Sequence, residues 1–261
     1  MSSPVVFYVA CFNRVIGLQS IYEYSLRSKL EVKLIILDMG STWPPFIEYR
    51  DSLGIEVVFI DSSIGPRDLW SNSFILESGS GGFFFADGDL LYDDLPDDAL
   101  CELVQLSETY PWFPKVGFSL KLSDLPKDQE SVRVIEWESD NWRVPFGSNS
   151  FICSLDTTIA YYPRREKSFY YRPALRTQLP YEVIHYPWYE REGSLTPEAE
   201  FYRRLAKSRI SSTQAGLWPT QSYKIKHKFM LIGFKFTKYF FTRKFSGRLF
   251  VKLFSTRGRI D

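Results

Sequence analysis

Gly81-Gly82-Phe83-Phe84-Phe85-Ala86-Asp87-Gly88-Asp89-Leu90-Leu91 is an apolar run that stops abruptly on two acids. Three aromatics and an alanine, with no polar alternation, predict a short strand buried on both faces, as in a parallel sheet covered on two sides. The glycine between Asp87 and Asp89 lets the chain bend as soon as that strand ends. In an open parallel sheet the carboxyl ends of the strands border the ligand crevice. Two carboxylates there offer the oxygen ligands that a hard divalent cation takes, commonly shared with substrate phosphates. The competing reading of Asp-Gly is a hairpin turn.

Working back from this run, the pattern repeats. Residues 5–11 read as a buried strand ending at Asn13-Arg14. A helical pattern of Ile16, Leu18, Ile21, Tyr22 and Leu26 then runs through Leu30. Residues 32–37 form a second strand ending at Asp38. Pro44 and Pro45 suit the first turn of a helix running to Leu53, and Gly54 suits its end. Residues 56–60 are a third strand ending at Asp61, and Gly65-Pro66-Arg67 opens a helix over 68–76. Strands alternating with helices predict an α/β fold: a mostly parallel sheet with helices on both faces. Its strand ends carry Asn13, Arg14, Asp38, Asp61, Asp87 and Asp89. No G-x-G-x-x-G follows the first strand and no phosphate-cradling G-x-x-x-x-G-K-[ST] occurs. Phosphate binding then falls to a cation and to side chains, with Arg67 at a helix start the best placed.

Beyond residue 96 the alternation fades. A helix is expected over 97–109, a strand over 116–122, and a loop-rich stretch over 123–150 that holds Glu136, Glu138 and Asp140 near Trp137 and Trp142. A strand at 151–155 leads into an apolar run at 159–162, interrupted by Asp156-Thr157-Thr158. A charge inside a buried run needs a reason to be there, either a turn or chemistry. His185-Tyr186-Pro187-Trp188-Tyr189 gathers aromatics around one of the chain's two histidines, and Arg176 lies shortly before it. Thr196 and Pro197 cap and start a further helix.

The 261 residues are 44% apolar and 17% aromatic, ample for a large core. Cys11, Cys101 and Cys153 show no metal-ligand spacing and suit a reducing compartment. No signal-peptide pattern and no membrane-span-length apolar run is seen. Of the 32 Lys and Arg residues, eleven fall in 223–261 against one acid, Asp261, which leaves an acidic body. In that tail Lys224, Lys228, Lys235 and Lys238 share one side of a helical projection, with Phe229, Met230, Phe234, Phe240 and Phe241 mostly elsewhere. Lysines beside bulky aromatics predict an amphipathic helix on an anionic membrane surface. The expected location is cytoplasmic, peripheral on the membrane. Nucleic acid is not an expected partner, given the acidic body and the lack of any nucleic-acid fold signature.

Taken in order, Asn13-Arg14, Asp38-Met39-Gly40-Ser41-Thr42, Gly65-Pro66-Arg67 with Trp70, and Asp87-Gly88-Asp89 resemble the motifs of GT-A fold glycosyltransferases of the family 2 type. Met39 stands where that family has a second acid. The resemblance implies residues 1–95 as a nucleotide-sugar-binding half, 96–222 as an acceptor half, and 223–261 as an appendage. It implies that Asn13, Arg14, Asp38, Arg67, Asp87 and Arg176 contact a nucleotide diphosphate sugar. Asp87, Asp89 and His185 would hold Mn²⁺ or Mg²⁺, with Asp156 as the base and Glu138 or Glu136 as alternates. The acceptor would be a glycan or a lipid-linked sugar in cell-surface polysaccharide synthesis, with inversion at the sugar. Haloacid dehalogenase phosphatases also use D-x-D, but on the first strand and with Thr or Val two positions on, where this chain has Leu91. Two alternatives stay open: a sugar nucleotidylyltransferase, although Asn13-Arg14-Val15-Ile16-Gly17 lacks its glycine-rich basic loop, and an inactive membrane-attached subunit that binds sugar or nucleotide.

Overall fold

The structure, a computed structural model, describes residues 3–61, 69, 73–77, 79, 81–155, 158–165, 173–206, 233 and 235. The first third follows the alternation read from the sequence: β1 (Val5–Cys11), α1 (Val15–Arg27), β2 (Val32–Asp38), α2 (Pro44–Ser52), β3 (Glu56–Phe59), α3 (Ser73–Glu77), β4 (Phe83–Asp87) and β5 (Leu90–Leu91). There follow α4 (Ala99–Thr109), β6 (Val116–Gly117), β7 (Ser119–Leu120), α5 (Gln129–Glu138), β8 (Pro145–Phe146), β9 (Ser150–Ser154), β10 (Ile159–Tyr162), β11 (Pro173–Thr177), β12 (Glu182–His185) and α6 (Pro197–Ala206).

Nine strands form one sheet in the order β3-β2-β1-β4-β10-β6-β11-β9-β8, and a small sheet has the order β5-β12-β7. β3, β2, β1 and β4 are mutually parallel. β10 enters antiparallel between β4 and β6, and β9 runs antiparallel to β11 and β8. The large sheet is thus mostly parallel, with β9 and β10 reversed.

Side chains alternate across a strand, and the central strands show it in their partners. Phe7, Val9, Leu34, Ile36, Phe84 and Ala86 pack with Leu18, Ile21 and Tyr24 of α1, Phe46 of α2 and Leu100 and Leu103 of α4. The intervening Tyr8, Ala10, Ile35, Leu37, Phe83 and Phe85 pack on the other face with Ile75 of α3 and with Cys153, Ala160 and Tyr162. Both faces are covered, which is why these strands read as unbroken apolar runs. Each fully buried large side chain contributes about 1.5–3 kcal/mol relative to exposure.

The second half departs from expectation in two places. Residues 123–150 are not mainly loop: they hold α5, whose N-cap Asp128 accepts a hydrogen bond from the Ser131 N–H at 2.8 Å, and a 3-10 turn over Ser139–Trp142. The single strand expected over 116–122 divides at Phe118, sending β6 to the large sheet and β7 to the small one. The strand expected over 151–155 is β9 and the apolar run resumed at 159–162 is β10, and the two are not neighbours in the sheet. α1 also stops at Arg27 rather than Leu30, where the Arg27 guanidinium donates to the carbonyls of Leu95 and Tyr92. The tail expected to form an amphipathic helix lies outside the described residues apart from Gly233 and Lys235. Among the described residues no helix is long and apolar enough to cross a membrane.

Candidate active site

The Asp-Gly-Asp turn is not a hairpin. It carries the chain from β4 in the large sheet to β5 in the small one. The Asp87 N–H donates to the Thr158 carbonyl at 3.0 Å and the Gly88 N–H to the Ala10 carbonyl at 2.8 Å, which clamps the turn between β10 and β1. A β-carbon at Gly88 would lie 2.8 Å from Cys11 Sγ and 2.9 Å from the Ala10 oxygen. One at Gly17, in the first turn of α1, would run into the Gly88 carbonyl oxygen. Only glycines allow this approach of turn, strand and helix.

β5 pairs antiparallel with β12, with Leu90 opposite His185, and the Tyr186 N–H reaches the Asp89 carbonyl at 3.3 Å. The backbone ladder therefore brings His185 to Asp89, and His185 Nε2 lies 3.5 Å from Asp89 Oδ2. The imidazole leans on Trp188, ring centroids 4.7 Å apart. Asp89 Oδ1 and His185 Nδ1 are buried and have no hydrogen-bond partner among the described residues. Burial works to raise the Asp89 pKa, but the charges of His185 and Arg14 outweigh it and the net shift is downward. Around the turn, burial and then carboxylate charges, Asp87 and Asp89 among them, push up the Cys11 thiol and the Tyr92 and Tyr202 hydroxyls.

Asn13 and Asp38 hold the turn after β2. Asn13 sits at φ 56°, in the left-handed region that asparagine tolerates better than most residues. Its Oδ1 accepts from the Thr42 and Trp43 N–H groups at 2.7 and 2.8 Å, and its own N–H donates to Ser41 Oγ. Asp38 is buried, ion-paired with Arg50, and accepts from the Ser41 N–H at 2.7 Å. Arg14 is buried as well. Its Nη1 lies 2.6 Å from Glu190 Oε1 and 3.7 Å from Glu198 Oε1, and its guanidinium stands 3.8 Å from the centre of the Tyr202 ring. Burial disfavours its charge, but Tyr186, Glu190 and Asp89 outweigh that and hold its pKa above the ordinary value.

Glu138 and Arg176, expected in different roles, are each other's partners: a buried ion pair at 2.5 Å, with Arg176 Nε also donating to the Phe118 carbonyl. Glu136 is on the exposed side of α5. Asp156 and Arg67 lie outside the described residues. Of the three expected metal ligands the structure joins Asp89 and His185. Among the described residues no three His, Cys, Asp or Glu side chains gather closely enough to enclose an ion. Glu190, Glu198 and Gly17 had no expected role. No local pattern links position 198 to position 15, so only the fold reveals that contact.

No known family model matches the sequence, and no curated protein matches it. Among solved structures, the chain aligns with glucosyl-3-phosphoglycerate synthase from Mycobacterium tuberculosis. Its complex with Mn²⁺, UDP-glucose and glycerol 3-phosphate aligns with 20% identity and a TM-score of 0.40, covering 62% of this chain and 57% of that one. Its complex with Mn²⁺, UDP and glucosyl-3-phosphoglycerate aligns with 18% identity, a TM-score of 0.41 and the same coverage. The alignment thus spans little more than half the length of that enzyme.

Proposed function

We propose that this protein is a metal-dependent glycosyltransferase that moves a sugar from a nucleotide diphosphate sugar to a hydroxyl of a glycan or lipid-linked acceptor. The observation that carries the reading is the Asp87-Gly88-Asp89 turn at the carboxyl end of β4, where Asp89 meets His185 and each keeps one buried ligating atom without a partner among the described residues. The mostly parallel sheet fits the GT-A type. Asp89 and His185 would hold Mn²⁺ or Mg²⁺, beside Asp87, and the donor diphosphate would complete the shell. The ion supplies charge stabilisation to the departing diphosphate. Asn13 and Asp38 would shape the nucleoside side of the crevice by fixing residues 39–43, and Asp156 remains the proposed base.

The test is hydrolysis of a panel of nucleotide sugars with and without Mn²⁺, in the parent protein and in Asp89→Ala. The expected outcome is a metal-dependent rate that falls about a hundredfold or more in the variant. Turnover indifferent to the substitution sinks the metal reading. A second reading, nucleotide binding without turnover, is favoured by the lack of a three-ligand cage among the described residues. It predicts nucleotide affinity with no hydrolysis by the parent protein. The basic segment 223–261 extends the proposal to an anionic membrane surface on the cytoplasmic face. Liposome flotation decides this point: equal binding of the full chain and of a chain ending at Tyr223 overturns it.

A further inference from the structure

The start of α1 is a cradle of hydrogen-bond donors that the chain fills with its own carboxylates. The Val15 and Ile16 N–H groups donate to Glu198 Oε2 at 2.6 and 3.1 Å. Arg14, the N-cap of α1, gives its Nη1 to Glu190. One more donor of the same guanidinium, Arg14 Nε, has no partner among the described residues, although Arg14 is 4% exposed. A donor left over in so buried a place indicates that the two glutamates do not fully satisfy the cradle.

Both glutamates come from one segment. Glu190 follows the 3-10 turn Tyr186–Tyr189, and Glu198 lies in the first turn of α6. The segment rests on the crevice through half-buried aromatic contacts, Phe12 against Tyr202 and Trp43 against Phe201, each with centroids 6.0 Å apart. Removing it would release both carboxylates together.

We propose that this cradle is a binding site for phosphate groups, and that the segment from Glu190 to Glu198 is an internal anion that closes it. A helix N-terminus beside an arginine fork suits phosphate oxygens, which bring more charge and more acceptors than a carboxylate. A phosphate must displace the glutamates, so its apparent affinity is reduced by the fraction of molecules that stand open. Only the identity of the phosphates as those of a nucleotide diphosphate rests on the function proposed above.

The experiment is calorimetric titration of the full chain with inorganic pyrophosphate in EDTA, repeated on Glu190→Gln/Glu198→Gln. Glutamine keeps an acceptor oxygen for the Val15 and Ile16 N–H groups, so the fold is expected to persist, as circular dichroism checks. The double variant is expected to bind about tenfold more tightly; equal or weaker binding overturns the proposal. Hydrogen exchange on the unaltered protein gives a second readout. Pyrophosphate is expected to speed exchange over 186–206, and unchanged or slower exchange overturns it. A parallel titration with UDP identifies the source of the phosphates: tighter binding than pyrophosphate supports a nucleotide, and equal binding supports free phosphate in the same cradle. Nucleotide-sugar hydrolysis is read separately. A protein that binds pyrophosphate as expected but hydrolyses nothing keeps the cradle and loses the transferase.

Discussion

Gly17 and Gly88 press backbone against backbone where the first turn of α1 meets the Asp-Gly-Asp turn. The methyl of Gly17→Ala must push into the Gly88 carbonyl, and overpacking of this kind costs about 1–3 kcal/mol. For a chain of this size each kcal/mol lowers the Tm by roughly 2–4 °C. The variant is expected to melt several degrees lower and, if the proposed function holds, to lose Mn²⁺-dependent turnover as Asp89 shifts; a parental melting curve would mean that the helix simply slides away. Of these residues, Asp87 and Asp89 were legible in the sequence because two acids ending an apolar run are anomalous on sight. Gly17 was not, since a lone glycine in a helix start has no signature until its neighbour across the fold is known. Glu198 was invisible for the same reason: its hydrogen bonds span more than 180 positions of sequence.

α5 shows what defeats pattern reading at the scale of an element. Its apolar residues are interleaved with acids and arginine, and Val132 and Ile135 are exposed, so residues 129–138 present no clean stripe. What fixes the helix is its start, where Asp128 caps it and takes an ion pair from Arg191 at 2.5 Å. Arg191 in turn donates to the Trp188 carbonyl, tying α5 to the turn beside His185. The Arg191 hydrogen bond, followed by the Ser131 N–H, holds the Asp128 carboxyl well below the usual carboxylate range. A depressed folded-state pKa gives stability that is present above the ordinary value of about 3.9 and fades as pH falls towards the lowered one. Asp128→Ala is therefore expected to lower the urea midpoint at neutral pH, with the difference from the parent narrowing as pH drops below about 4. A gap independent of pH would show that the lost interaction is not the ionised carboxylate. β1 and β4 escaped this difficulty, because burial on both faces leaves their interiors no polar residue to misread.

At the scale of the molecule, the parallel core was legible and the join was not. A run of strand and helix announces its own order, but nothing in residues 151–162 announces that β10 leaves β9 to lie against β4. That insertion makes the strands of the first 95 residues and those of the second half one continuous sheet. Phe84 meets Tyr161, and Phe83 stacks on Tyr162, across the β4–β10 seam, with ring centroids 5.0 Å apart in both pairs. A fragment of residues 1–95 would expose this aromatic edge of β4, and unpaired apolar edges invite association. It is expected to aggregate or to unfold without cooperativity, as size-exclusion chromatography and thermal melts would report. A monomer with a sharp transition would instead establish the first 95 residues as an independent unit.

The turn that leaves β4 also has a mechanical side. Asp87 ends a strand of the large sheet, whereas Asp89 and His185 flank the ladder of the small one. Anything gripped by both acids would act as a rivet through two plates that are otherwise joined here by a single bend of chain. The far plate reaches β7, where the Lys121 N–H meets the Val183 carbonyl at 2.9 Å. Tightening the rivet would stiffen that plate, so what is held at the Asp-Gly-Asp turn would be felt as far away as β7.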